Sequence, residues 1–409
     1  FFKFFLQNKQ MTYLIIEPEF SGHYIALYIK FIVRLLSKNK SNIVFLTTKK
    51  TTKHKSFKVL LKENKNIKVE YISHIRPKNF STLSILTYQI KLFFLIKSSY
   101  KIISKKYKFD HIFINSLDHF DKALCLFGDP FSSINFSGIC VNPKFHLTKY
   151  NLGIAGRYNA IAKFFFKKLL LINNLKNILT NDQFFIHYTS KNRFINHKKI
   201  KLLHEPREFS NFFSKNYSRK ILKLPKNDFF ILVYGALKET KGIFELCSAL
   251  CDNKINKKVS IILAGDQDNK IENFLKSNLI KFLIKNKKLF IFKGFQNDKE
   301  ESILFSASNI VWVGYQKKFP FLSGVLYQAA AMRLPIIASN HGIIGWMNKK
   351  YKLGLAVDID DTNLIVKAIN NLCDNKIYNS FLKSINFFSK KANPKFFMNQ
   401  LNYLLSKKY

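Results

Sequence analysis

The sequence predicts an α/β protein made of two Rossmann-like domains, each built on a parallel sheet. Three observations carry that expectation. Short apolar runs rich in β-branched residues recur along the 409 residues, separated by segments of helix length. Two of these runs, Val259–Gly265 and Leu289–Gly294, end in glycine, where a strand would turn into a loop. A break in the pattern around Leu202–Pro206 leaves a part on either side long enough to bury its own core.

Taken in order, Tyr13–Ile16 is the first strand, and Ile25–Leu36 carries apolar residues at helical spacing. The turn between them holds Ser21, Gly22 and His23, a glycine loop or simply a loop with Ser21 as helix cap. Strands follow at Asn42–Leu46 and Val69–Ile72, then a long helical span, Leu83–Ser104, that includes Lys91, Lys97 and Lys101. The strand His111–Asn115 delivers Asp118, His119 and Asp121 beyond its carboxyl end, where α/β proteins place their chemistry. Helix capping by Asp118 is the plainer alternative. Ile134–Cys140 and Ile178–Asn181 complete a first domain over 11–206, and a polar, basic linker follows at 207–227. The second domain, 228–385, opens on the strand Phe229–Gly235 and ends in helical segments, of which Thr362–Cys373 is the first.

The organising stretch is Ile310–Gly342. The apolar run Ile310–Val313 reads as a buried strand, and a loop with Lys317, Lys318 and Pro320 follows. A Ser323–Gly324 step opens a helix through Ala329, Ala330 and Ala331, strong helix formers, and Pro335–Ser339 is a second strand. This is one βαβ unit, whose helix start is an anion site in the making. Ser323, Gly324, Val325 and Leu326 are therefore the candidate phosphate cradle.

Gln328–Ile337, reading Q-A-A-A-M-R-L-P-I-I, resembles the E-A-M-A-x-G-x-P-V-I segment of retaining family-four glycosyltransferases with the GT-B fold. Gln328 stands where that family has its second Glu, and Pro320 where it has the first. Gly235–Gly242, reading G-A-L-K-E-T-K-G, is similar to the family's G-R-L-x-x-x-K-G loop, with Ala236 replacing Arg. The resemblance implies two domains facing across a cleft, with the last helix, 386–409, returning to pack on the first. It further implies a donor site in the second domain formed by Gly235, Lys241, Ser323–Leu326, Gln328 and Gly342, with an acceptor site in the first. Lys241 would stabilise the departing diphosphate as a point charge. Gln328 would hydrogen-bond the ribose, since its amide both donates and accepts. Gly22 would join the donor site, and His23 would lie close to the donor phosphate or acceptor. Asp118 or His119 would touch the transferred sugar or accept the acceptor's proton. His23, Asp118 and His119, with Lys241, are the catalytic candidates, and His341 is a further loop candidate. The alternative functions are a degenerate binder of nucleotide or glycan, and a UDP-sugar epimerase using Asp118 and His119 as its acid–base pair.

Composition narrows the rest. A hydrophobic content of 47% excludes a disordered chain. The net charge of +43 rests almost wholly on lysine, with seven arginines among 68 basic residues, and is spread along the sequence. That pattern looks like codon bias of an AT-rich genome more than a nucleic-acid-binding patch, so nucleic acid is not the expected partner. An anionic membrane surface suits it better. Five cysteines, odd in number, fit a reducing compartment. No uncharged apolar run reaches membrane-spanning length. Asp266–Gln267–Asp268 is formally D-x-D but has no partner ligands, so no metal and no cofactor are expected, the nucleotide sugar being a substrate. The expected location is the cytoplasm, with the inner membrane face as docking surface, and the expected role polysaccharide or lipopolysaccharide synthesis.

Overall fold

Leu14 and Ile16 face one side of the first strand and Tyr13 and Ile15 the other, and both sides are buried. The same alternation holds in the next strand, with Val44 and Leu46 against Ile43 and Phe45. A sheet covered on both faces explains why these strands read as continuous apolar runs. In the computed structural model, which describes residues 10–18, 25–79, 81–141, 143–150, 157–209 and 211–406, the chain forms two compact units. The first comprises 1–146, 155–204 and 397–409, and the second 147–154 and 205–396.

The first unit holds strands β1 (Thr12–Glu17), β2 (Asn42–Thr48), β3 (Ile67–Ile72), β4 (His111–Ile114), β5 (Phe136–Ile139), β6 (Leu175–Thr180) and β7 (Ile200–Leu202). They form one parallel sheet in the order β3-β2-β1-β4-β5-β6-β7. One face is covered by the helix Thr82–Ile103, which buries Tyr88, Leu92, Phe93, Ile96, Tyr100 and Ile103 at helical spacing. The other carries the helix Lys30–Lys38 and the last helix, Pro394–Ser406. That last helix buries Phe397, Leu401 and Leu404, spaced i, i+4, i+7. The Phe397 ring lies 6.1 Å from both Tyr28 and Phe31, and Asn39 Nδ2 donates to Asn402 Oδ1 at 2.9 Å. The tail thus packs on the first unit, as the resemblance implied, from Phe397 onward. The preceding helix, Asn375–Lys391, stays in the second unit, where Phe388 packs against Tyr327 and Tyr351. Pro394 separates the two helices, because its ring fits only the first turn of a new one.

The second unit holds β8 (Phe229–Tyr234), β9 (Val259–Gly265), β10 (Leu289–Lys293), β11 (Ile310–Val313), β12 (Ile336–Ser339) and β13 (Gly354–Val357). Their order, β10-β9-β8-β11-β12-β13, is doubly wound, with the direction of winding reversing between β8 and β11. Strands β7 and β13 are additions to the sequence reading. Each is an edge strand, one three and one four residues long, too short to show a period. The segment expected as a linker, 207–227, lies in the second unit and contains the helix Lys215–Ile221. Its Arg219 is buried and donates to Ala307 O at 3.0 Å and Asn309 Oδ1 at 2.7 Å, tying that segment to the foot of β11.

Candidate donor site at the carboxyl ends of β8 and β11

In a doubly wound sheet the loops diverge at the reversal point and leave a crevice there. In this chain that point is flanked by Tyr234–Gly235 at the end of β8 and Gly314–Tyr315 after β11. The β8 loop crosses towards β11, and Trp312 Nε1 donates to Lys241 O at 2.7 Å while Gln316 N donates to Thr240 O at 2.9 Å. Gly242, left-handed at φ +59°, then starts the helix Ile243–Ala249.

Lys241 is folded in beneath this loop. Its Nζ donates to Tyr234 O and lies 5.9 Å from the Tyr315 ring centre. Burial, with a smaller push from Lys238, lowers its pKa to about 7. The sequence reading gave Lys241 the role of a point charge, and its burial brings the pKa of that group into the neutral range. Tyr315 links it to the next element, its hydroxyl lying 2.9 Å from Ser323 Oγ. Burial pushes that phenol up to about 12, so it stays protonated.

Ser323 caps the helix Gly324–Ala331, its Oγ accepting from Val325 N at 3.3 Å, while Leu326 N donates to Ser323 O at 3.1 Å. Two amides of the expected cradle are thus engaged by the cap itself. A Cβ at Gly324 would overlap Arg207 Nη2 and stand 2.8 Å from Glu205 Oε1, so those two side-chain tips would have to shift. Gln328, one turn further on, is buried and donates from Nε2 to Glu301 Oε1. Burial raises the Glu301 carboxyl, opposed by the nearby Arg207 charge and by the Gln328 bond. Glu205, Arg207 and Glu301 were not among the residues singled out from sequence. Glu301 lies in the acidic first turn of the helix Asp298–Ala307, which reads as ordinary helix-start chemistry.

Gly342, at φ +68°, starts the helix Gly342–Tyr351 and packs against Pro320, where a Cβ would come 2.8 Å from Pro320 O. Its backbone therefore meets the loop that follows β11. His341 stands just before it, both ring nitrogens buried without a hydrogen-bond partner among the described residues. Gly235, Lys241, Tyr315, Ser323, Gly324 and Gln328 thus form a linked set within one unit.

Asp118 and His119 belong to the first unit, in a turn after β4. Asp118 Oδ2 accepts from Val141 N at 2.9 Å, and its carbonyl accepts from Gln89 Nε2 at 3.0 Å. The carboxylate ties the end of β5 to the turn after β4. His119 meets the Tyr88 ring edge-on at 6.5 Å. Gly22 and His23 lie outside the described residues.

The family model "Glycosyl transferases group 1" matches residues 214–387. No curated protein matches the chain. Among solved structures, sucrose-phosphate synthase from Thermosynechococcus elongatus superposes with a TM-score of 0.69 at 15% identity, covering 97% of this chain and 98% of its own. HepE from Anabaena, in complex with UDP and glucose, gives 0.64 at 15% identity over 97% of this chain and 100% of that one. UDP-GlcNAc 2-epimerase from Neisseria meningitidis, bound to UDP-GlcNAc, gives 0.63 at 13% identity over 97% and 100%. Likeness at such identities is one of fold. The chain therefore has the GT-B fold, and residues 214–387 are similar to the group 1 glycosyltransferase family model.

Proposed function

We propose that this protein transfers a sugar from a nucleotide-sugar donor to a glycan or lipid-linked acceptor, with the donor held by the second unit. The observation that carries the reading is the link Lys241–Tyr315–Ser323 at the reversal point of the sheet. A diphosphate at the start of the Gly324 helix would draw a proton onto Lys241, because a nearby anion favours the charged form. The resulting ammonium and the helix dipole then stabilise the diphosphate as the sugar leaves. Gln328 gives its Nε2 to Glu301, which fixes the amide so that Oε1 is the atom offered to a ribose hydroxyl. The UDP and UDP-sugar seen in solved structures of this fold support a nucleotide diphosphate as donor. Retention of configuration and independence of metal belong to this proposal as expectations from the family resemblance.

The test is transfer and slow donor hydrolysis with UDP-, GDP- and ADP-sugars, after a thermal-shift screen to choose among them. Lys241→Ala is expected to abolish transfer with the fold intact, and unchanged turnover removes Lys241 from the mechanism. Pro320 and Gln328, in place of two carboxylates, favour a second reading, a protein that binds the donor without turning it over. Donor binding with no hydrolysis over long incubation selects it.

We further propose that the first unit rests on an anionic membrane in the cytoplasm, serving cell-surface polysaccharide synthesis. On the helix Thr82–Ile103, Leu83, Phe94 and Ile102 are exposed among Lys91, Lys97 and Lys101, and Phe94 contacts the exposed Phe127 at 5.0 Å. No described helix is long and apolar enough to cross a membrane. Co-sedimentation with phosphatidylglycerol vesicles but not with phosphatidylcholine vesicles is the expected result, and equal sedimentation with both refutes it.

A further inference from the structure

A buried charge cluster lies against the first turn of the Gly324 helix, formed by Glu205 and Arg207 from the segment that enters the second unit and by Glu301. Arg207 Nη2 pairs with Glu205 Oε1, and the two side chains are only 15% and 8% exposed. Both sit so close to Gly324 that a Cβ there would press on their tips. The segment is fixed from behind, where Arg207 N donates to Ala392 O at 2.8 Å.

The placement is electrostatically specific. A guanidinium beside the positive end of a helix dipole is unfavourable unless an anion accompanies it. Here the chain supplies that anion itself, as Glu205. The pair with Glu205 also leaves part of the guanidinium unsatisfied, because its Nε is buried with no acceptor among the described residues. Arginine forks match phosphate as well as carboxylate, and a phosphate brings more charge and more acceptor oxygens than Glu205 can.

We infer that Arg207 is a binding residue for the donor's diphosphate and that Glu205 is a resident stand-in which the diphosphate must displace. The inference rests on the donor reading and adds to it a regulation of affinity, a carboxylate competing with the ligand for one guanidinium. The site takes an inorganic or nucleoside diphosphate, and its affinity is set partly by how strongly Glu205 holds Arg207.

The experiment is calorimetric titration of the full chain with inorganic pyrophosphate. Glu205→Gln, which keeps size and removes charge, is expected to bind about tenfold more tightly than the parent, and Arg207→Ala about tenfold more weakly or worse. Arg207→Lys, which keeps the charge without the fork, should fall between. Thermal midpoints are read for each, and if Arg207→Ala does not fold, Glu205→Gln and Arg207→Lys decide. Unchanged or weaker binding by Glu205→Gln overturns the inference, as does parental affinity in Arg207→Lys and Arg207→Ala, or no pyrophosphate binding by any of the proteins. The two readings fail separately. The predicted order of affinities in a protein that turns over no nucleotide sugar upholds this inference and sinks the transferase. Turnover with an affinity indifferent to Glu205 does the reverse.

Discussion

Binding of a nucleoside diphosphate should be accompanied by proton uptake at Lys241. The perturbation is pH. With the free-protein pKa at about 7, roughly half of the Lys241 side chains are neutral at that pH and about nine-tenths a unit above it. A diphosphate beside Nζ favours the ammonium, so about half a proton enters with each ligand near neutrality and close to one proton about a unit higher. Affinity should therefore fall up to about tenfold per pH unit above 7, until the raised pKa of the complex is reached. Titration of UDP in buffers of differing ionisation enthalpy gives the proton count directly as a slope. The nucleotide's own phosphate also titrates, so the decisive number is the difference between the parent and Lys241→Met. A difference near zero at about pH 8 would refute the reasoning, because it means that the ligand leaves the ammonium's surroundings unchanged.

Lys241→Met should raise the stability of the ligand-free protein, by roughly 1–3 kcal/mol at neutral pH, since it removes a buried cation without a counter-ion. The pKa is depressed from the unfolded value, so the parent's deficit is full below pH about 7 and is relieved as pH rises towards 10.5. A gap between the two proteins that does not narrow with pH in urea titrations contradicts this. Phe397→Ala should cost about 3–5 kcal/mol as a large-to-small change at a fully buried ring, and a loss under about 1 kcal/mol in urea unfolding would mean that the last helix is not anchored there. Gly324→Ala should push the tips of Arg207 and Glu205 apart and, by loosening the carboxylate's hold on the guanidinium, tighten pyrophosphate binding a few-fold with less than about 1 kcal/mol change in stability, whereas parental or weaker affinity would count against the competition. Tyr315→Phe should weaken UDP binding only a few-fold, through the lost contact to Ser323, with Kd as the readout.

The two sheets were legible in the sequence because a strand buried on both faces leaves an unbroken apolar run, as at Ile231–Val233 and Ile261–Leu263. The short edge strands β7 and β13 left none. The Lys241 loop was visible as Gly235 and Gly242 bracketing a lysine, yet its near-neutral pKa was not. That value comes chiefly from burial, to which the Tyr315 ring facing Nζ belongs, and burial by a residue remote in sequence has no local signature. Glu205, Arg207 and Glu301 were opaque for the same reason. They gather from segments about a hundred residues apart, and each alone looks like a surface charge. Gly324, read as a helix-opening cradle residue, also meets side chains that the linear order does not place beside it.

The last helix has a bearing on how the polypeptide is made. Phe397, Leu401 and Leu404 close the apolar face formed by Tyr13, Phe31 and their neighbours. During synthesis that face stays uncovered while the whole of the second unit is produced and has time to fold. The part of the protein that leaves the ribosome first thus waits for Phe397 and its neighbours to complete its core, after every strand of the second unit has been made.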